Sequence, residues 1–202
     1  MMCGTTIDAR LHIDASATAG NADIWRGSGF APIGSLAAPF SGTFNGLGRV
    51  IRNVTVNLPV TADVGLFGST APSSVIRNVG LVGGSVIGLS SAGGLVGSNT
   101  GTISNSYNTG TVNGESNLGG LMGSNTGPVT SSYWNKETSG QASSPAGTGM
   151  TSAQMQQLGN FTSSDFANIW IGYNGLTNPL LRSFMSAVTV TAALQKIVGI
   201  GH

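Results

Sequence analysis

Apolar positions in this chain come in short bursts separated by glycine, asparagine, serine and threonine, and the bursts recur. Val50-Ile51-Arg52-Asn53-Val54 returns letter for letter as Val75-Ile76-Arg77-Asn78-Val79. Weaker copies follow at Thr102-Ile103-Ser104-Asn105-Ser106 and Pro128-Val129-Thr130-Ser131-Ser132. The apolar anchors Ile51, Ile76, Ile103 and Val129 are 25, 27 and 26 residues apart. A second phrase keeps similar time. Gly94-Leu95-Val96-Gly97-Ser98-Asn99-Thr100-Gly101 recurs 26 residues later as Gly120-Leu121-Met122-Gly123-Ser124-Asn125-Thr126-Gly127, after a first partial copy at Gly65-Leu66-Phe67-Gly68. Two markers holding one period of this size predict a stacked repeat.

The residues between the markers decide which repeat. Helical repeats need apolar positions at a spacing of 3.6 with strong helix formers between them. Here the intervals hold turn formers and brief β-branched runs, which favour short strands and sharp corners. The expected fold is all-β, a right-handed parallel β-helix with about 25–27 residues per coil and four to six coils. Glycines are expected at the corners, where φ turns positive. Asn53, Asn78 and Asn105 are expected to stack as an amide ladder, each side chain bonding its copies above and below. Arg52 and Arg77 would then lie one rung apart.

The flanks differ. Ile7, Ala9, Leu11 and Ile13 alternate with Asp8, Arg10, His12 and Asp14, the period of a half-buried strand. Residues 1–24 read as this strand and a loop, 25–140 as the solenoid, 141–184 as a cap and 185–202 as a tail with a possible strand at Val188–Ala192. Trp25, Phe30, Phe40 and Phe44 are placed to close the first end. Within the cap a short helix is expected over 151–158, opened by a Thr151–Gln154 capping box and stopped by Gly159. Leu158, Phe161, Phe166 and Trp170 would fold it over the far end of the stack, where open strand edges need cover. Trp134, Trp170 and Tyr173 read as packing residues, with a sugar-stacking platform as the sharper alternative.

Composition narrows the function. Charged residues make up 7% of the 202, and eight basic side chains against seven acidic leave a formal net charge of +1. Phosphate binding needs clustered Lys and Arg, so no nucleic acid partner is expected. The longest apolar runs fall far short of the ~18 residues of a spanning helix, so no transmembrane segment is expected. Cys3 is the single cysteine, which excludes an intrachain disulfide. The N-terminus shows no secretory signal pattern.

The chemistry-bearing inventory is short. His12 and His202 are the histidines, and no Gly-x-Ser-x-Gly elbow accompanies them. His12 with Asp14 reads as a solvated strand face, and Ser28 as part of a small-residue loop. Asp63, Glu115 and Glu137 fall at different phases of the repeat, whereas a glycosidase needs two carboxylates flanking one bond. The Thr-x-Thr pairs Thr100/Thr102 and Thr109/Thr111 do not recur one period on, against an ice-binding row. No catalytic, cofactor-binding or metal-ligating residue is assigned, and no cofactor is expected.

The Gly-Leu-Val-Gly-Ser-Asn-Thr-Gly phrases resemble the GLUG-motif repeats of large bacterial surface and secreted proteins, among them haemagglutinin-like exoproteins of two-partner secretion systems. Residues 24–193 carry the resemblance, with Pro39–Gly48 similar to the segment that enters such repeats and Ser132–Thr151 similar to the one that closes them. The resemblance implies a structural or binding module of a cell-surface or secreted adhesin, a piece of a longer chain. It implies an extracellular or surface location, a glycan or protein surface as partner, and possible end-to-end or strand-mediated self-association. It transfers no catalytic residue. The alternative is a β-helix hydrolase or lyase acting on an ester or polysaccharide.

Overall fold

A computed structural model describes residues 29–161, together with the backbone of three two-residue strands at Ile7–Asp8, Trp170–Ile171 and Leu180–Leu181. Residues 9–14 of the expected first strand lie outside the described residues, as do Trp25, Ser28, Phe166, Tyr173, 188–192 and His202.

The chain winds through three complete coils. Strand β1 (Ile7–Asp8) lies beside the first coil, which is β2 (Thr43–Arg52), β3 (Thr55–Val64) and β4 (Phe67–Ser69). The second coil is β5 (Val75–Val82), β6 (Ser85–Gly93) and β7 (Val96–Asn99). In the third, β8 (Thr102–Asn108) leads to β9 (Thr111–Asn113), β10 (Ser116–Gly119) and β11 (Met122–Asn125). A partial coil follows in β12 (Val129–Thr130) and β13 (Tyr133–Asn135), then helix α1 (Lys136–Ser139), β14 (Thr148–Met150) and helix α2 (Ser152–Met155). The like strands of successive coils pair in parallel to make three sheets. The first sheet runs β1-β2-β5-β8-β13-β14, the second holds β3, β6, β9 and β10, and the third holds β4, β7 and β11. This is the expected β-solenoid, with three coils where four to six were expected.

Side chains stack in columns along the axis. Phe44, Ile76, Ile103 and Val129 face one another rung by rung, as do Val56, Val86 and Val112, and Phe67, Val96 and Met122. Except for half-buried Val129, all are at least nine-tenths buried. Each such aliphatic contributes about 1.5–3 kcal/mol relative to exposure. At the first end Phe67 meets Phe40 at 5.1 Å and Phe44 at 5.3 Å between ring centroids, so the expected aromatic closure is present in these residues.

The register corrects one expectation. Ile51 does not stack on Ile76; it pairs with Leu81, while Phe44 pairs with Ile76. The first coil is longer, since Asn45 to Arg49 spans what Arg77 to Val79 spans, and Leu58 to Ala62 what Gly88 to Ser90 spans. Arg52 therefore faces Val82 and Arg77 faces Asn45, so the two arginines are not rung neighbours. The duplicated Val-Ile-Arg-Asn-Val encodes a local shape instead of a shared place. In both copies the strand bends at an asparagine in the left-handed region, with φ 55° at Asn53, just past the end of β2, and 56° at Asn78, within β5.

The corners correct another. Left-handed backbone at two of the repeating bends is carried by non-glycine residues in columns: Asn78, Asn105 and Ser131 in one, Asp63, Ser91 and Asn117 in the other. Short polar side chains tolerate that region better than other residues with a Cβ.

The amide ladder exists at a different phase from the one expected. Asn78 Nδ2 donates to Asn45 Oδ1 at 3.1 Å, and Asn53 lies at another corner. The continuous run is Thr70–Asn99–Asn125. Thr70 Oγ1 donates to Asn99 Oδ1 at 2.8 Å, and Asn99 Nδ2 donates to Asn125 Oδ1 at 2.7 Å and to the Gly101 carbonyl at 2.9 Å. Asn99 is 1% exposed. Substitution Asn99→Ala takes the acceptor from the buried Thr70 hydroxyl and the side-chain donor from the buried Gly101 carbonyl and the part-buried Asn125 oxygen, and each unsatisfied buried group costs about 1–3 kcal/mol. Denaturant unfolding is expected to show a loss of about 2–4 kcal/mol for Asn99→Ala. Exposed Asn53→Ala removes no such bond and is expected to lose only about 1 kcal/mol, the strain of alanine in the left-handed region.

Candidate functional site

The glycines of the repeated phrase act by making room. A Cβ on Gly94 would lie 2.1 Å from Asn108 Nδ2, and one on Gly120 would lie 1.9 Å from the Trp134 ring. The first glycine thus makes space for the inward side chain arriving from the next coil. The second abuts backbone: Cβ atoms on Gly97 and Gly123 would reach 2.3 Å from Asp63 C and 2.2 Å from Ser91 C. Between them the Leu and Val or Met positions are fully buried. The following asparagine enters the ladder. Every conspicuous letter of the motif serves the stack.

Other polar residues are similarly engaged. Thr100 Oγ1 donates to the Thr70 carbonyl, and Thr109 Oγ1 accepts from Gly83 N at 3.2 Å. These threonines of the Thr-x-Thr pairs bind their own scaffold. Asp63 accepts from Ser69 Oγ at 3.4 Å in the first coil, whereas exposed Glu115 lies in the third. Trp134, one of the possible sugar platforms, is 5% exposed within the main core, its indole packed by Gly120 and Gly149. A buried ring offers no face to a sugar. Among the described residues, no three His, Cys, Asp or Glu gather as a metal site, and no helix is long and apolar enough to cross a membrane.

A loop closes the far end. After β11, Ser144 Oγ accepts from Met122 N at 3.1 Å, Gly120 N donates to the Ser143 carbonyl at 3.2 Å and Gln141 Nε2 donates to the Val112 carbonyl at 2.8 Å. A loop therefore bonds the open strand edges. Helix α2 lies elsewhere, on the outer face of the first sheet. There Tyr107 and Tyr133, alternating with inward Trp134, cluster with Met150, Met155 and Phe161. Phe161 meets Tyr133 edge-on at 4.8 Å. The expected capping box of Thr151 and Gln154 is present, but α2 ends at Met155 and Gly159 sits inside a separate 3-10 turn, Leu158–Asn160. The antiparallel strands β15 (Trp170–Ile171) and β16 (Leu180–Leu181) continue this cover, with β16 against β2 and β5.

Two titrating groups sit in this cover. The Ser152 hydroxyl and backbone N–H, the latter at 3.0 Å from Glu137 Oε2, hold the exposed Glu137 carboxyl below its usual value. Burial pushes the Tyr107 phenol up to about 12, opposed by the nearby Arg52 charge.

Among the described residues, the outer face of the second sheet presents a polar array of partly and fully exposed side chains. Thr55, Ser85 and Thr111 form one column and Asn57, Ile87 and Asn113 the next, with Val56, Val86 and Val112 pointing inward between them. Thr111, Asn57 and Asn113 are exposed. This array carries hydroxyls, amides and one apolar side chain, and no charge. Its sequence signal was available as Thr-Val-Asn at 55–57 and 111–113 with Ser-Val-Ile between, and is visible only once the register aligns the three.

Comparisons with known proteins agree with this architecture. The family model described as the GLUG motif matches residues 88–113, a span of one coil from β6 through β9. Halomucin of Haloquadratum walsbyi is 43% identical over 102 residues, half of this chain, and the match spans only 1% of halomucin's length. No solved structure matches. The chain contains a GLUG-repeat region.

The two titrating groups give opposite pH signatures. The lowered Glu137 value favours the ionised form in the folded chain. Its stabilisation is complete above the ordinary glutamate pKa and is lost as pH falls through the folded one. Thermal melts of Glu137→Gln are expected to lack that acid-side decline. The raised Tyr107 value favours the neutral phenol, so stability is expected to fall as pH rises from about 10 towards 12. Tyr107→Phe is expected to flatten that alkaline loss in the same melts.

Proposed function

We propose that this chain is a structural and binding module of a cell-surface or secreted adhesin, part of a longer protein of the haemagglutinin-like, two-partner-secretion kind. The observation that carries this reading is where the polar chemistry goes. Asn99, Asn125, Thr70 and Thr109, side chains that would otherwise bind or react, are spent on holding one coil to the next, and Asn108 on pinning its own coil. Such a module supplies reach and stiffness. The similarity to a protein named halomucin and the match to a recurring motif support a repeated surface element.

The outer face of the second sheet is the partner surface in this reading. Uncharged hydroxyls and amides on a flat parallel sheet suit a glycan or a polar protein surface, reached by hydrogen bonds and not by charge steering. Full-length protein screened on glycan and matrix-protein arrays is expected to bind at least one surface. Thr111→Arg and Asn113→Arg are expected to weaken that binding at least tenfold with unchanged melting temperature. Hydrolytic turnover of an ester or uronate polymer, abolished by one point substitution, would overturn the module reading in favour of an enzyme.

A further inference from the structure

Asparagine amides carry much of the internal bonding. The Nδ2 atoms of Asn78, Asn99, Asn108, Asn125, Asn135 and Asn160 each donate to an acceptor within the chain. Asn53 is different. It is exposed, its side chain makes no hydrogen bond among the described residues, and it occupies the left-handed turn joining β2 to β3 at φ 55°. Gly83 of the next coil lies beneath it. A Cβ there would find only Asn53 Oδ1, at 2.8 Å, and Cγ, at 3.9 Å, within 4 Å. The amide oxygen is thus nearest the stack, and Nδ2 lies further out.

Two residues on, Thr55 opens β3 on the outer side of the second sheet. Its hydroxyl is also unengaged among the described residues, unlike those of Thr70, Thr100 and Thr109. Val54 between them is 6% exposed and anchors the turn in the core. Asn53-Val54-Thr55 is therefore an Asn-x-Thr triplet, the sequence that N-glycosylation of asparagine reads, with an exposed, unengaged amide on a surface turn.

We propose that Asn53 is an acceptor site for an N-linked oligosaccharide. The donor is a polyprenyl-diphosphate-linked oligosaccharide, supplied with an oligosaccharyltransferase. A bond forms between Asn53 Nδ2 and the anomeric carbon of the first sugar. The bond from that carbon to the diphosphate oxygen breaks, the polyprenyl diphosphate departs with the electron pair, and one Nδ2 proton passes to base. The Thr55 hydroxyl is the second recognition group. In the cell this event rests on the surface or secreted placement proposed above; acceptor competence rests on the turn alone.

The chain supplies its own control. Asn160-Phe161-Thr162 has the same triplet. There, however, Asn160 is exposed but its Nδ2 donates to the Gln154 carbonyl at 3.0 Å. In the folded chain its amide nitrogen is engaged, where that of Asn53 is not.

The test incubates folded full-length protein with a purified single-subunit oligosaccharyltransferase of Asn-x-Thr specificity and its polyprenyl-diphosphate oligosaccharide. Intact mass and peptide mapping read the product. The expected result is one glycan, on Asn53, lost in Asn53→Gln and Thr55→Ala, retained in Thr55→Ser and Asn160→Gln. Melting curves check that each variant is folded. Denatured chain is expected to be modified at both asparagines, which also shows the enzyme to be active. A folded chain that stays unmodified while the denatured chain reacts overturns the proposal, as does equal modification of Asn53 and Asn160 in the folded state. Because the reaction is run outside the cell, its failure is distinct from a failure of the surface placement, which glycosylation in cells alone would report.

Discussion

The structure depends on how closely its backbones approach. Three parallel sheets wrap a core so narrow that the third sheet lies directly on the end of the second, and a single methyl group at Gly93, Gly97, Gly119 or Gly123 would overlap main-chain atoms. Glycine is needed there for proximity, independently of its conformational freedom. From this follows the thin core of Leu, Val, Phe and Met columns, beside which Asn99 and Asn108 are buried. Those amides find partners within the chain, Asn99 in the coils on either side and Asn108 in its own, since an unpaired buried amide is costly. Close approach and the amide ladder are therefore one device seen from two sides.

Much of this was legible in the residues. The Gly-Leu-Val-Gly phrase marks a fixed place in the coil because it answers to contacts with neighbouring coils, so its copies at 94 and 120 stack in register. Val-Ile-Arg-Asn-Val misled for the complementary reason. It answers only to a local backbone shape, a strand running into a left-handed asparagine, and that shape occurs at more than one place in a coil. Letter identity was complete where structural equivalence failed. The longer first coil was hidden because Gly46–Gly48 and Pro59–Thr61 read as ordinary turn and strand residues. The route of the final segment was hidden as well. Nothing local in Met155 or Phe161 says whether they cover an end or a side; Tyr107 and Tyr133, facing outward together, decide it.

The candidate surface was less legible than the fold. Thr55, Ser85 and Thr111 are each unremarkable alone, and become an array only when the register brings them to adjacent rungs. Conversely, Trp134 and Thr109 are consumed by the interior, and exposed Thr100 bonds the preceding coil. Low charge fits both facts. A solenoid stacks like on like at about 4.8 Å, so any charged column would repel itself along the axis, whereas hydroxyls and amides can stack without penalty. The same neutrality leaves binding to hydrogen bonding and shape.

In the second and third sheets the second and third coils keep a spacing of 26 residues, through Val86 and Val112 and through Val96 and Met122, and Val129 of the partial coil follows Ile103 by 26 as well. Excising residues 94–119 would join Gly93 to Gly120 with the inward apolar columns still in register. Adding such a unit would do the reverse. The extent of the molecule along its axis is thus quantised, in steps of about 4.8 Å. A gene that gains or loses one in-frame repeat changes the reach of the protein while leaving its cross-section as it was.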